Sequence, residues 1–297
     1  MNRSELIEYD FGGAFPFRPR FVSIGEHSMH YVDEGTGDPT VLLHGNPTWG
    51  YLYRKFVRPL SLTQRVVVPD HLGFGKSDKP FRERYRLTDR VGHLEHFLVD
   101  QLDLRNVTLV VHDWGGPIGL GVVKRHPERF RKLVVLNSWC HRLPLGTPLL
   151  PVIEQFRSPG VGEALVQGLN VFVEGLLPAG IYHKEHITED FLDAYRAPFP
   201  DFNSRCHVLE FPRDLPIGEN HPSYAAIGAI EDALPSLDVS VLVLWGKRDP
   251  LFSAGDLARW SQSFPQAEVE VFDKASHFVQ EDVGAEIVER LKSFAGS

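Results

Sequence analysis

Asp113 stands where a strand-like run, 107–111, breaks into His112-Asp113-Trp114-Gly115-Gly116-Pro117 ahead of a helical stretch. A buried strand that turns sharply into a helix lifts the turn residue above the sheet, the setting of a nucleophile elbow. Small residues flank such a turn because backbone crowds backbone. The pattern Gly-x-nucleophile-x-Gly is half met: Gly115 is in place, but Val111 stands where the first glycine belongs. The nucleophile position holds a carboxylate, not a hydroxyl or thiol, and this selects the reaction. A carboxylate attacking an acyl carbon gives an unproductive anhydride-like adduct. One attacking an sp³ carbon that bears a leaving group gives an alkyl-enzyme ester, which water can cleave. Displacement on carbon, with halide or an epoxide oxygen leaving, is the chemistry this residue suits. The plainer alternative is that Asp113 only caps the helix beginning near Gly115, a task Asp performs well.

Three further segments complete a set. The run 239–245 ends in Gly246-Lys247-Arg248-Asp249-Pro250, which places Asp249 at the carboxyl edge of a sheet, where ligand sites form. The run 267–272 is followed by Ala275-Ser276-His277-Phe278. The order nucleophile, acid, histidine is that of the α/β-hydrolases. His277 then serves as general base, with Asp249 fixing its tautomer and stabilising the imidazolium. The chain has 14 histidines, most with surface or structural roles to be expected, and only its place after the last strand singles out His277. The loop His44-Gly45-Asn46-Pro47-Thr48-Trp49 follows the run 40–43 and is positioned to supply an oxyanion-hole N–H, with a second from Trp114. Asn46 and Trp114 also carry neutral side-chain N–H donors. Two such donors converging on one point suit a departing halide, which needs stabilisation but no proton. Taken singly, Trp114 could be core packing and Asn46 a turn residue.

The elements that must position these residues are legible as alternation. Strand-like runs at 21–24, 29–32, 40–43, 65–69, 107–111, 132–136, 239–245 and 267–272 alternate with helical stretches. Continuous Val/Leu runs predict strands buried on both faces of a mostly parallel sheet. Between them, 88–102 places Val91, Leu94, Leu98 and Leu102 at helical spacing, with Thr88 as its N-cap. The expectation is an α/β fold of the α/β-hydrolase type: a mostly parallel eight-stranded sheet, helices on both faces and an inserted helical cap. The insertion is read from 139 to 230, which lacks strand-like runs and holds ten of the 22 prolines. The expected organisation is core 1–138, cap 139–230 and core 231–297.

Composition closes off other classes. Thirty-one basic against 39 acidic residues give a formal charge of −8, which argues against a nucleic-acid partner. Two cysteines, Cys140 and Cys206, cannot build a disulfide framework or a zinc knuckle. No apolar run reaches membrane-span length and the N-terminus lacks a signal-peptide core, so a cytoplasmic protein without membrane, metal or cofactor is expected. Gly75-Lys76-Ser77 imitates the end of a phosphate loop, but Asp70 stands where its first glycine is required. Gly73-Phe74-Gly75 fails as a dinucleotide fingerprint because Asp78 replaces the third glycine.

Assembled, the chain resembles the haloalkane dehalogenases over nearly its whole length. The resemblance rests on His44-Gly45-Asn46-Pro47-Thr48, Asp70-His71-Leu72-Gly73-Phe74-Gly75-Lys76-Ser77-Asp78, Asp113-Trp114-Gly115-Gly116, Ala194-Tyr195-Arg196-Ala197-Pro198-Phe199-Pro200 and His277-Phe278-Val279-Gln280-Glu281. It implies cofactor-free hydrolysis of a small apolar haloalkane by water to alcohol, halide and a proton. Asp113 is then nucleophile, His277 base, Asp249 acid, and Asn46 with Trp114 the halide pair. Some family members take the acid from the end of the sixth strand, but that place is Asn137 here. Others use a cap tryptophan for the halide, but the five tryptophans, at 49, 114, 139, 245 and 260, lie outside the main cap, with Trp139 at its edge. The resemblance is therefore to the subgroup with an Asp-His-Asp triad and an Asn-Trp halide pair. Pro117, Phe211, Pro212 and Leu251 match lining positions and imply a small apolar pocket. Two alternatives stay open: an epoxide hydrolase using the same triad with Tyr182, Tyr195 or Tyr224 as acid, and a non-catalytic ligand receptor on the same scaffold.

Overall fold

The computed structural model describes residues 3–81 and 83–296. Among them the strands are β1 (Arg20–Ile24), β2 (His27–Glu34), β3 (Pro39–Leu43), β4 (Arg65–Pro69), β5 (Val107–Asp113), β6 (Phe130–Ser138), β7 (Ser240–Gly246) and β8 (Glu268–Phe272). They form one sheet in the order β1-β2-β4-β3-β5-β6-β7-β8. Only β2 runs against its neighbours; every pair from β4 to β8 is parallel. Each predicted run falls on a strand. The central strands β3 and β5 are buried at every residue, as continuous apolar runs demand, whereas edge strand β8 exposes Val269 and Val271.

The helices that bear on the site are α1 (Arg54–Ser61), α2 (Leu87–Glu95), α3 (Gly115–Arg125), α4 (Glu189–Arg196), α5 (Cys206–Asp214), α6 (Tyr224–Glu231), α7 (Ala254–Ser263) and α8 (Gly284–Gly296). The chain reverses direction across the sheet at β3: it passes through α1 to β4 on one side, then through α2 to β5 on the other. Right-handed crossovers in opposite senses put their helices on opposite faces. Accordingly α1 packs with α8, while α2, α3 and α6 pack together. The crevice between the carboxyl ends of β3 and β5 is thus a topological switch point, and residues 46 and 113 border it.

Between β6 and β7 the described residues form helices and turns, including α4 and α5, joined by one isolated bridge, Leu143 to Ile217. No helix among the described residues is long and apolar enough to cross a membrane.

One expectation is corrected. Thr88 is not an N-cap but lies inside the first turn of α2, whose N-cap is Arg86. The Asp89 carboxylate accepts the Arg86 backbone N–H at 2.9 Å, and Asp214 of α5 accepts that of Leu87 at 2.6 Å. A carboxylate from a distant element thus does the work Thr88 was expected to do. The helical stretch also widens into a π-type turn over His96–Gln101 rather than continuing regularly to Leu102.

Candidate active site

Asp113 closes β5 with φ of 50°, in the left-handed region that a non-glycine residue occupies at a cost. The cap of α3 is Trp114, so Asp113 is not the capping residue. Close approach explains the small neighbours. A Cβ on Gly115 would lie 2.6 Å from the Leu43 carbonyl oxygen, and one on Gly45 would collide with the Asp113 carboxylate. Ser138 Oγ donates to the Asp113 backbone oxygen at 2.6 Å and pins the turn from β6.

The two carboxylate oxygens of Asp113 have different surroundings. Oδ1 accepts the backbone N–H of Asn46 at 2.7 Å. Oδ2 lies 3.9 Å from Nε2 of His277. Burial raises the Asp113 pKa above the ordinary aspartate value, although His277 and the N–H groups of Asn46 and Trp114 pull it back.

His277 is buried, and its Nδ1 lies 2.9 Å from Oδ2 of Asp249. Its Nε2 has no hydrogen-bond partner among the described residues and faces Asp113. Burial alone would lower its pKa, but the Asp249 and Asp113 carboxylates outweigh it and raise it. Asp249 is held on all sides: Oδ1 accepts the N–H groups of Leu251 (2.7 Å) and Phe252 (3.0 Å), and Oδ2 accepts Nδ2 of Asn137 at 2.8 Å.

Asn137 is a residue that sequence reading placed only as a missing acid. The β5–β6 register slips between His112 and Asp113, whose partners are Leu136 and Ser138, leaving Asn137 unpaired with φ of 32°. From this bulge its amide grips both the N–H and C=O of Gly246 and the Asp249 carboxylate. His112 was also passed over: its Nε2 lies 2.9 Å from the His277 carbonyl oxygen, under the base.

The side chains of Asn46 and Trp114 meet the same region. One amide hydrogen of Asn46 goes to the Val208 carbonyl of α5 at 3.1 Å, leaving its second free. The Trp114 indole N–H has no partner among the described residues, and its ring is wedged between Trp139 (5.4 Å) and Phe211 (4.7 Å). Pro117 and Pro212 are buried on α3 and α5, and Phe211 packs directly on Trp114. Leu251 stands apart at 41% exposed, and it is the following residue, Phe252, whose ring packs near His277, at 5.4 Å.

The Tyr195 hydroxyl is buried and donates to Glu281 at 2.7 Å, Tyr182 is 40% exposed, and Tyr224 lies on α6, which packs on α2 and α3. Glu281 also takes a paired contact from Arg54, and Asp282 accepts the N–H groups of Tyr182, His183 and Ser276. These two carboxylates tie residues 182–195, between β6 and β7, to the His277 loop.

The neighbours of His277 make a prediction for the chemistry expected from the sequence. If Asp113 is alkylated, its negative charge is lost and with it one of the influences raising His277. His277 would then have a lower pKa in the ester than in the free protein, and be neutral over a wider pH range when acting as base. NMR titration of His277 in the free protein, set against the pH dependence of single-turnover ester hydrolysis, should give a lower value for the hydrolysis. Equal values would remove Asp113 as a neighbour of the base.

Comparison with known proteins bears on the same arrangement. Residues 38–282 match a family model described as the α/β-hydrolase fold. The chain is 37% identical over 283 residues to the cis-3-alkyl-4-alkyloxetan-2-one decarboxylase of Shewanella oneidensis, covering 94% of this chain and 88% of that protein. It is 34% identical over 283 residues to haloalkane dehalogenase 2 of Mycobacterium tuberculosis, covering 93% and 96%. Among solved structures, the haloalkane dehalogenase DatA of Agrobacterium tumefaciens matches with a TM-score of 0.85 and 32% identity, covering 94% of this chain and 96% of that one.

Proposed function

The chain belongs to the α/β-hydrolase fold family, in its haloalkane dehalogenase branch, and from that premise we propose that Asp113 displaces halide from an apolar haloalkane. One observation carries the reading: Oδ1 of Asp113 is held by the Asn46 N–H while Oδ2 faces His277. Oδ2 attacks carbon in line with the leaving group, and Oδ1 becomes the carbonyl oxygen of the resulting ester. The free N–H groups of the Asn46 amide and the Trp114 indole hold the halide as its charge develops. His277, its tautomer fixed by Asp249, then takes a proton from water between Nε2 and the ester. That water attacks the ester carbonyl carbon, and the charge arriving on Oδ1 meets the N–H groups already aimed at it. Alcohol leaves, and Asp113 is restored with one oxygen from water. The Asp-His-Asp triad and the Asn-Trp pair are part of this proposal, as are Pro117, Phe211 and Pro212 as pocket wall and Leu251 as its rim.

A second reading is favoured by the decarboxylase relative. The same attack on an alkyl carbon of a cis-3,4-dialkyloxetan-2-one breaks the C4–O bond and releases a carboxylate in place of halide. Cleavage of the C3–carboxylate bond then forms the alkene and CO₂ while the C4–Oδ bond breaks and frees Asp113, with no water consumed. Both readings need a carboxylate nucleophile and an anionic leaving group, so product analysis separates them. The purified protein is given bromo- and iodoalkanes, a cis-3,4-dialkyloxetan-2-one and styrene oxide. Halide with alcohol supports the first reading. Alkene with CO₂ and no halide moves the substrate to the lactone. Diol from styrene oxide alone returns the epoxide alternative, and ligand binding without any product contradicts displacement altogether.

A further inference from the structure

Arg90 of α2 is 2% exposed, and none of its three side-chain nitrogens has a hydrogen-bond partner among the described residues. Burying a guanidinium with unsatisfied N–H groups is costly, and such groups persist where they serve a purpose. The carboxylates nearby are engaged elsewhere. Asp214 accepts the Leu87 N–H with one oxygen and the Ser223 hydroxyl with the other, both at 2.6 Å. Glu210 pairs with Arg84 at 3.0 Å and Arg213 at 3.4 Å. Neither forms an ion pair with Arg90.

What Arg90 does touch leads to the reaction centre. Its guanidinium lies 3.8 Å from the ring centre of Phe211, and Phe211 lies 4.7 Å from the ring of Trp114. One aromatic ring thus separates a buried positive charge from the indole that receives the leaving group. The charge also reaches the loop carrying Asn46, since Arg90 contributes to holding His44 and His71 below the usual histidine range, after burial itself.

We infer that Arg90 is the counter-charge for the leaving anion, a positioning residue acting through the Phe211–Trp114 stack rather than by contact with substrate. The inference rests on the displacement reading above, with halide as the leaving group. During displacement, negative charge leaves the Asp113 carboxylate and arrives on the indole side of the site, which Arg90 backs. Attraction therefore grows along the reaction coordinate and favours the transition state over bound haloalkane. Water is excluded from this stack, so a charge about 10 Å away still changes anion affinity by about tenfold at an effective dielectric of about 20.

The test is bromide binding, read as a saturable change in tryptophan emission, with circular dichroism and the KM for the neutral haloalkane as controls. R90M should weaken bromide binding about tenfold and leave KM nearly unchanged, and R90K, which keeps the charge, should restore affinity to within about threefold. R90Q carries the same comparison if R90M does not fold. Equal bromide affinity in wild type and the neutral variant overturns this inference alone. Failure of R90K to restore affinity overturns it too, because packing rather than charge is then at work. No bromide binding by the wild type overturns the halide reading and the inference together.

Discussion

Replacing Asp113 with Ala is expected to abolish turnover. On the displacement proposed above, the carboxylate is not one contributor among several: it forms the bond to carbon, and nothing nearby can replace it. Oδ1 is already held by the Asn46 N–H, and Oδ2 is the oxygen that faces the open side of His277. Asp249 cannot substitute, because its carboxylate is occupied by Asn137, His277 and the N–H groups of Leu251 and Phe252. Loss of a covalent nucleophile elsewhere costs on the order of 10⁶ in kcat, and a loss of at least about 10⁴ is expected here. Halide release in the stopped assay, with folding checked by circular dichroism, measures it. Retention of a tenth of wild-type turnover would place the nucleophile elsewhere.

Replacing His277 with Phe separates the two chemical steps. The first, attack by Asp113 on carbon, transfers no proton and needs no base, and the N–H groups of Asn46 and Trp114 favour the ionised carboxylate against the opposing effect of burial. The second needs a proton taken from water, and Nε2 of His277 is the group positioned to take it. The variant should release close to one halide per site in a burst and then stall. Steady-state turnover should fall by about 10⁴ or more, as for the loss of a triad base. Release continuing at a near wild-type rate would mean that water attacks without His277.

The central strands, and the three side chains that the structure brings together at their carboxyl ends, could be read from the chain because each is a local signal. Val/Leu-rich runs define β3 and β5, Asp113 closes β5, and Asp249 and His277 follow the ends of β7 and β8 within a few residues. What could not be read depends on contacts between distant elements. Asn137 matters because a one-residue slip between β5 and β6 turns it toward Asp249, and no composition signal marks a bulge at Leu136-Asn137-Ser138. Thr88 has the right chemistry for a cap, but Asp214, 126 residues away in sequence, changes where α2 begins. Leu251 and Phe252 differ by one step in a loop, and only the path of that loop decides which side chain packs near His277. Arg90 looks like an ordinary helix arginine until burial removes its partners. Glu281, the last residue of the His277–Glu281 motif, and Asp282, which no sequence signal marked, prove to tie residues 182–195 to the His277 loop.

The most direct test asks where the alkyl group goes. The His277→Phe protein is incubated with a bromoalkane, digested, and its peptides are analysed by mass spectrometry. The account predicts one alkyl group per chain, in ester linkage to Asp113. An alkyl group on another side chain, or unmodified protein after the halide burst, would contradict it.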